Sequence, residues 1–181
     1  SSIPAERMAY ALNQRLPDDI VIVSSKEVPL DWHPRYQDEI LKTYEYHIYN
    51  APVQNPLKRR YSAFVSFPMN VEKMREGAAY LLGEHDFVSF CNVRTSVEDT
   101  VRTVKELMIE QEGPDITIRI TGNGFLYNMV RIIAGTLIRV GRGFYEPTKV
   151  KEILEARERT QAGVTAPPEG LTLVCIEYDG S

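Results

Sequence analysis

The sequence predicts an α+β fold, a mixed or antiparallel sheet with helices packed on one face. Three observations carry this reading. Apolar and polar residues alternate at period two over 42–50 and 116–121, as in half-buried strands. Residues 103–110 and 115–121 flank Glu112-Gly113-Pro114, a hairpin signal, so strands pair with near neighbours. Stretches at helical spacing stand between such runs without alternating strictly with them.

The elements come in this order. Residues 4–16 predict a helix: Pro4 suits a first turn, Met8, Leu12 and Leu16 recur at helical spacing, and Pro17 stops it. Ile20-Val-Ile-Val-Ser24 predicts a buried strand, and Trp32-His-Pro-Arg35-Tyr36 is rich in aromatic and basic groups. In the strand at 42–50, Tyr44, Tyr46 and Ile48 point one way and Thr43, Glu45 and His47 the other. Residues 51–60, with Pro52, Pro56 and Lys58-Arg59-Arg60, predict a connection between two lobes. A strand is expected over 61–67. A helix over 71–82 is capped by Asn70, turns Val71, Met74, Ala78 and Leu81 inward, and stops at Gly83. Residues 83–90 predict a turn into an apolar segment, in which His85 and Asp86 either pin the turn or form a catalytic dyad. Residues 92–100 predict a polar loop. After the hairpin, Gly122 and Gly124 are expected to supply the positive φ of a sharp turn. It leads into an apolar helix over 125–139, with Phe125, Met129, Ile132, Ile133 and Leu137 on its buried side and Gly141 and Gly143 at its end. A short helix over 149–157, a loop through Pro167-Pro168 and a strand over 171–178 complete the chain.

Composition narrows the function classes. A chain of 181 residues with 43% apolar content can bury a core. No apolar run reaches the ~18–20 residues of a membrane helix, and the first residues do not read as a signal peptide. Two cysteines, Cys91 and Cys175, are far apart and match no metal spacing, and the three histidines show no paired spacing. Both cysteines are expected as reduced core residues in a cytosolic, metal-free protein. The net charge of −4 does not advertise nucleic-acid binding, but 122–143 carries Arg131, Arg139 and Arg142 with no acid.

The central observation is Arg131, in the middle of the apolar helix. A guanidinium is costly to bury unless a carboxylate or phosphate meets it. Arg131 shares a helix face with Tyr127, Asn128 and Gly135, and the bare Gly135 leaves room for another group beside it. Two readings stand: an arginine reaching the surface along its helix, or a cation that orients an anionic catalytic group or holds RNA phosphate. Gly122-Asn-Gly124 starts like a dinucleotide fingerprint, but Tyr127 occupies the third glycine position, and no phosphate-binding loop, nucleophile elbow or zinc signature is present.

Several stretches together resemble the tRNA pseudouridine synthase A family. These are Leu16-Pro-Asp-Asp-Ile20, Trp32-His-Pro-Arg-Tyr36, Lys42-Thr-Tyr-Glu-Tyr46, Gly83-Glu-His-Asp-Phe-Val-Ser-Phe90, Gly122 to Gly143, and Thr165-Ala-Pro-Pro-Glu-Gly-Leu171 with Thr172-Leu173. The run Asn123-Gly-Phe-Leu-Tyr-Asn-Met-Val-Arg131 is the most specific. The resemblance implies a pseudouridine synthase-like fold and isomerisation of uridine to pseudouridine in the anticodon stem-loop of tRNA, in a cytoplasmic homodimer without metal or cofactor. It implies that Tyr44 stacks on the target base and takes its C5 proton, that Arg131 pairs with a catalytic aspartate, and that Leu171 packs beside the base. Arg35 and Asn128 are candidate substrate contacts, and Lys58, Arg59, Arg60, Arg139 and Arg142 candidate RNA contacts. Trp32 and Tyr36 stand where phenylalanines are usual. The family's aspartate lies in a Gly-Arg-Thr-Asp-x-Gly-Val-His segment that this sequence does not contain. The expectation is therefore a fragment, inactive alone, with 1–57 as the rear of an N-terminal catalytic lobe and 58–181 as the C-terminal lobe. The alternative is a non-catalytic RNA-binding or dimerisation module.

Overall fold

The aromatic strand expected at 42–50 is β1, Ile40–Asn50, and both of its edges are paired. In the computed structural model, residues 2–34, 40–92 and 99–178 are described. The chain divides into two compact units, Ser1–Asp38 and Glu39–Ser181. This seam falls earlier than the expected division after residue 57, because β1 is hydrogen-bonded into the sheet of the second unit.

The first unit contains α1, Ala5–Asn13. The strand expected at 20–24 does not form: Ile20, Val21 and Val23 are 52%, 70% and 93% exposed. A strand needs a neighbour's ladder, and here side chains take its place. The Ile22 N–H donates to Asn13 Oδ1 at 2.8 Å, and the Ile22 carbonyl accepts from Asn13 Nδ2 at 2.9 Å. Ser25 Oγ in turn accepts from the Ala9 N–H at 3.0 Å.

In the second unit, β2 (Ala63–Val65), β3 (Gly83–Asp86), β4 (Val101–Glu112), β5 (Asp115–Gly122) and β6 (Leu171–Tyr178) join β1 in one six-stranded sheet. The order is β2-β1-β5-β4-β3, with β6 also on β1. One edge of β1 is antiparallel to β5; the other is shared between β6, along 40–46, and the parallel β2, along 48–50. The hairpin β4–β5 turns at Gly113 with φ +57, a conformation glycine adopts without strain. β3 stands where the residue types predict a turn into an apolar segment, because Gly83 with φ +97 completes the turn and the next residues pair with β4. Asp86 does pin the segment after β3: its Oδ1 accepts from the Val88 N–H at 3.0 Å and from Thr100 Oγ1 at 2.6 Å, and Arg157 meets its other oxygen.

The helices α2 (Val71–Ala79), α3 (Met129–Gly141) and α4 (Lys149–Ala156) complete the fold. Asn70 caps α2 as expected, its side chain accepting from the Lys73 N–H at 3.0 Å. Tyr46, Ile48, Ile116, Ile118 and Ile120 from one sheet face join Met74, Met129, Ile132, Ile133, Leu137 and Ile153 in one core. Each such side chain contributes about 1.5–3 kcal/mol on burial. The other face is polar along the same strands: Thr43 Oγ1 meets Thr121 Oγ1 at 2.9 Å, and Glu45 pairs with Arg119.

The entry to α3 differs from expectation. Gly122 and Gly124 do not take positive φ; Asn128 does, at +62. Asparagine tolerates the left-handed region, and the helix accordingly starts at Met129 rather than 125. Gly122 is needed for space: a Cβ there would stand 2.7 Å from the Thr103 carbonyl oxygen.

Candidate active site

Two glycines bring a backbone segment against α3. A Cβ on Gly135 would lie 1.9 Å from the Val164 carbonyl oxygen, and one on Gly163 would lie 2.7 Å from Thr136 Cα. Residues 162–166 therefore cross α3 in backbone contact. The Gly163 N–H donates to the buried Thr136 Oγ1 at 3.0 Å, and the Ala166 N–H to the Arg131 carbonyl at 3.0 Å. The room that Gly135 provides is thus filled by the chain itself, not left open beside Arg131.

That crossing orients Arg131. Its Nε donates to the Ala166 carbonyl at 2.8 Å, and one terminal nitrogen donates to Asn128 Oδ1 at 3.0 Å. The left-handed backbone of Asn128 sets this acceptor one turn before the arginine. The guanidinium is half-buried, and among the described residues no carboxylate meets it. Two neutral acceptors fix the plane of the cation and bring no opposing charge themselves. Tyr127, expected on the same face, is 68% exposed.

The neighbouring carbonyl, Pro167, accepts a 2.7 Å hydrogen bond from the hydroxyl of Tyr46. Burial pushes the Tyr46 hydroxyl well above the ordinary tyrosine range; the Arg131 charge opposes that rise and Glu169 adds to it. Gly170 lets this segment lie on the ring, since a Cβ there would be 2.7 Å from Tyr46 Cζ. Tyr44 is two residues away on the same strand face. Phe125 meets it edge-on, with ring centroids 5.2 Å apart and planes at 83°. The register between β1 and β6 shifts between Thr43 and Tyr44, so that Tyr44 stands opposite Leu173 and Tyr46 opposite Leu171. Leu171 is packed against the core.

Asn128 and Arg131 are thus tied to the Ala166 carbonyl, next to the Pro167 carbonyl that holds Tyr46; Leu171 faces Tyr46 across the β1–β6 pair, and Tyr44 lies two residues along the same strand. Arg35 lies outside the described residues. Lys58 is engaged by Asp115, with its ammonium 5.1 Å from the centre of the Tyr49 ring, and Arg59 and Arg60 are exposed beside it. Arg139 and Arg142 form a separate group, both against the ring of Phe144. The sequence reading missed Tyr46 as a member of the site, as well as the contact of Phe125 with Tyr44. The Ala-Pro-Pro segment marks the place where 166–167 crosses, but which carbonyls accept cannot be read from residue types.

Cys91 and Cys175 are both free thiols; Cys91 is buried, while Cys175 is only partly so because it lies on the edge strand β6. Among the described residues no three potential ligands cluster to hold a metal, and no helix is long and apolar enough to cross a membrane.

An α+β sheet thus carries a fixed, partly buried cation, and the backbone segment that holds it also holds the buried Tyr46. The protein-family model described as tRNA pseudouridine synthase matches residues 78–179. Proteins named tRNA pseudouridine synthase A from Brevibacillus brevis and from Bacillus subtilis strain 168 are each 47% identical over 178 residues, covering 98% of this chain and 72% of the relative. The protein of that name from Thermoanaerobacter strain X514 is 48% identical over the same extent. The chain belongs to the tRNA pseudouridine synthase A family.

Proposed function

We propose that this protein serves the isomerisation of uridine to pseudouridine in tRNA, at the anticodon stem-loop, as a cytoplasmic homodimer. The reaction breaks the bond from uracil N1 to the sugar C1′, turns the base, and joins C5 to C1′; the proton leaves C5 and N1 regains one, so no atoms are gained or lost. The target nucleotide has to leave its stack, which costs a few kcal/mol, and stacking on an aromatic ring offsets that cost.

In this reading the ring of Tyr44 receives the base, held at its angle by Phe125, and its hydroxyl takes the C5 proton. Leu171 supplies apolar contact, and Asn128 positions Arg131. Arg35, with the basic groups at 58–60 and at 139 and 142, meets phosphate. The observation that carries the reading is Arg131: a guanidinium fixed by two neutral acceptors, half-buried, with no carboxylate against it among the described residues. Its charge is set to receive the carboxylate of the family's catalytic aspartate, which starts the reaction by attacking the sugar C1′ or by removing a sugar proton. That aspartate belongs to the Gly-Arg-Thr-Asp segment implied by the family resemblance and missing from this sequence.

Tritium release from tRNA labelled at uridine C5 tests this directly. The 181-residue chain is expected to release none. Joined to the aspartate-bearing segment of a relative, it is expected to turn over. Robust release by the chain alone, or none by the joined protein, contradicts the proposal. The half-buried cation also favours a second reading for the chain on its own, as an RNA-binding or dimerisation module. That reading predicts tRNA affinity falling steeply with salt.

A further inference from the structure

At the far end of α3 from Arg131, aromatic rings and guanidinium groups alternate in a row. The Arg142 guanidinium carbon lies 4.6 Å from the centre of the Phe67 ring and 4.8 Å from that of Phe144. Arg139 lies 6.0 Å from Phe144 and 5.2 Å from Tyr145, and donates to the Tyr145 hydroxyl at 3.0 Å. Phe67 and Phe144 are 59% and 63% exposed. From Arg131, Arg139 is eight residues along the helix, roughly 12 Å of rise, so this row is apart from the backbone position of Arg131.

The row is held in shape by backbone. Gly143 takes φ +76, a value that favours glycine, and turns the chain so that the Phe144 and Tyr145 N–H groups both donate to the Arg139 carbonyl, at 2.9 and 3.3 Å. On the other side, Asn50 Nδ2 donates to the carbonyls of Val65 and Phe67, at 2.8 and 2.7 Å, and the Asn70 N–H donates to the Gly141 carbonyl at 2.8 Å. Among the described residues neither Arg139 nor Arg142 meets a carboxylate, and the nearest acid in sequence, Glu146, is engaged by Lys73 at 3.0 Å.

We infer that Phe67, Arg142 and Phe144 form a preformed stacking platform for unpaired nucleotides of the bound tRNA, separate from the uridine that is modified. Two exposed rings offer π faces, and the intervening cations hold the rings in place and attract phosphate. A protein partner would need acidic groups for the same charge, and an apolar partner would leave it unmet. Nucleic acid supplies planar rings and negative charge together. The inference rests on the tRNA reading above and adds a second contact to it.

The test uses the 181-residue chain with three probes: a tRNA transcript, an oligouridylate of about ten nucleotides, and an abasic sugar-phosphate oligomer of equal length. Phe67→Ala with Phe144→Ala is expected to weaken the first two roughly ten- to hundredfold and to leave the abasic oligomer unchanged. Arg142→Lys, which keeps charge but loses the plane, is expected to weaken oligouridylate severalfold. Phe144→Leu keeps apolar bulk, so it serves where the double variant folds poorly; a loss confined to base-bearing probes is again expected. Equal loss on the abasic oligomer, or no loss on any probe, overturns the platform while tritium release by the joined protein still upholds the synthase reading. If the unsubstituted chain binds no tRNA, the platform fails, and tritium release by the joined protein decides the synthase reading separately. Conversion of a dimer to a monomer by these substitutions, without change in RNA affinity, overturns the platform in favour of a face between two copies.

Discussion

At the residue scale, Arg131 and Asn128 act as one unit. Asn128 needs two properties at once: tolerance of φ +62 and an acceptor for the arginine. Asn128→Gly keeps the first and loses the second, so thermal stability is expected to hold while Arg131 loses orientation and tritium release by the joined protein drops. Asn128→Ala loses both, and is expected to cost about 1–2 kcal/mol in denaturant unfolding from backbone strain alone. Tyr46 gives a pH signature. Its hydroxyl is held neutral by burial, so the folded state stays protonated after the unfolded chain begins to ionise near the ordinary value of about 10. The stabilising contribution is therefore complete below that pH and falls as pH rises above it. Melting temperature followed from pH 8 upward is expected to decline more steeply for the parent than for Tyr46→Phe above about pH 10. Parallel declines would contradict the assignment.

At the scale of elements, the decisive event is the crossing of 162–166 over α3. It exists because Gly135 and Gly163 remove both side chains at the contact, and it delivers the Ala166 and Pro167 carbonyls to Arg131 and Tyr46. Gly135→Ala puts a methyl where the Val164 carbonyl stands. It is expected to cost at least about 1–3 kcal/mol by chemical denaturation. In the joined protein it should also reduce turnover beyond what its stability loss explains, since Arg131 loses its fixed acceptor. Much of this level is legible in the sequence. Period-two alternation in β1 and β5 and the Gly113-Pro114 hairpin identify the sheet centre, because each strand buries one face only. The Gly135 gap is visible too, but not what fills it, since the Val164 carbonyl, 29 residues onward, leaves no periodic signal. The strand expected at 20–24 illustrates the opposite limit. Four β-favouring residues suffice for a propensity, yet Asn13 satisfies Ile22 through its side chain and no ladder forms. Propensity alone ranks glycine above asparagine for the left-handed residue before α3, and so points to the glycines of the turn; close packing against Thr103 is what Gly122 serves.

At the scale of the molecule, one polar and one apolar sheet face divide the labour. The apolar face builds the core and carries Tyr44 and Tyr46 toward α3; the polar face holds the Glu45–Arg119 pair. The resemblance motifs locate the site more sharply than composition does, since a net charge of −4 conceals two separate basic groups. Lys58, expected with its neighbours as an RNA contact, already meets Asp115; replacing it is expected to change tRNA affinity less than replacing Arg139 or Arg142. The chemistry of the whole molecule turns on what Arg131 is for. If it holds the catalytic carboxylate, its charge lowers that acid's pKa, by roughly one to three units for a close pair. The direct measurement is the rate of tritium release against pH for the joined protein and its Arg131→Gln variant. The predicted result is a slower variant whose acid limb moves to higher pH; a variant that is slower with its acid limb unmoved, or one that is equally fast, would contradict the assignment.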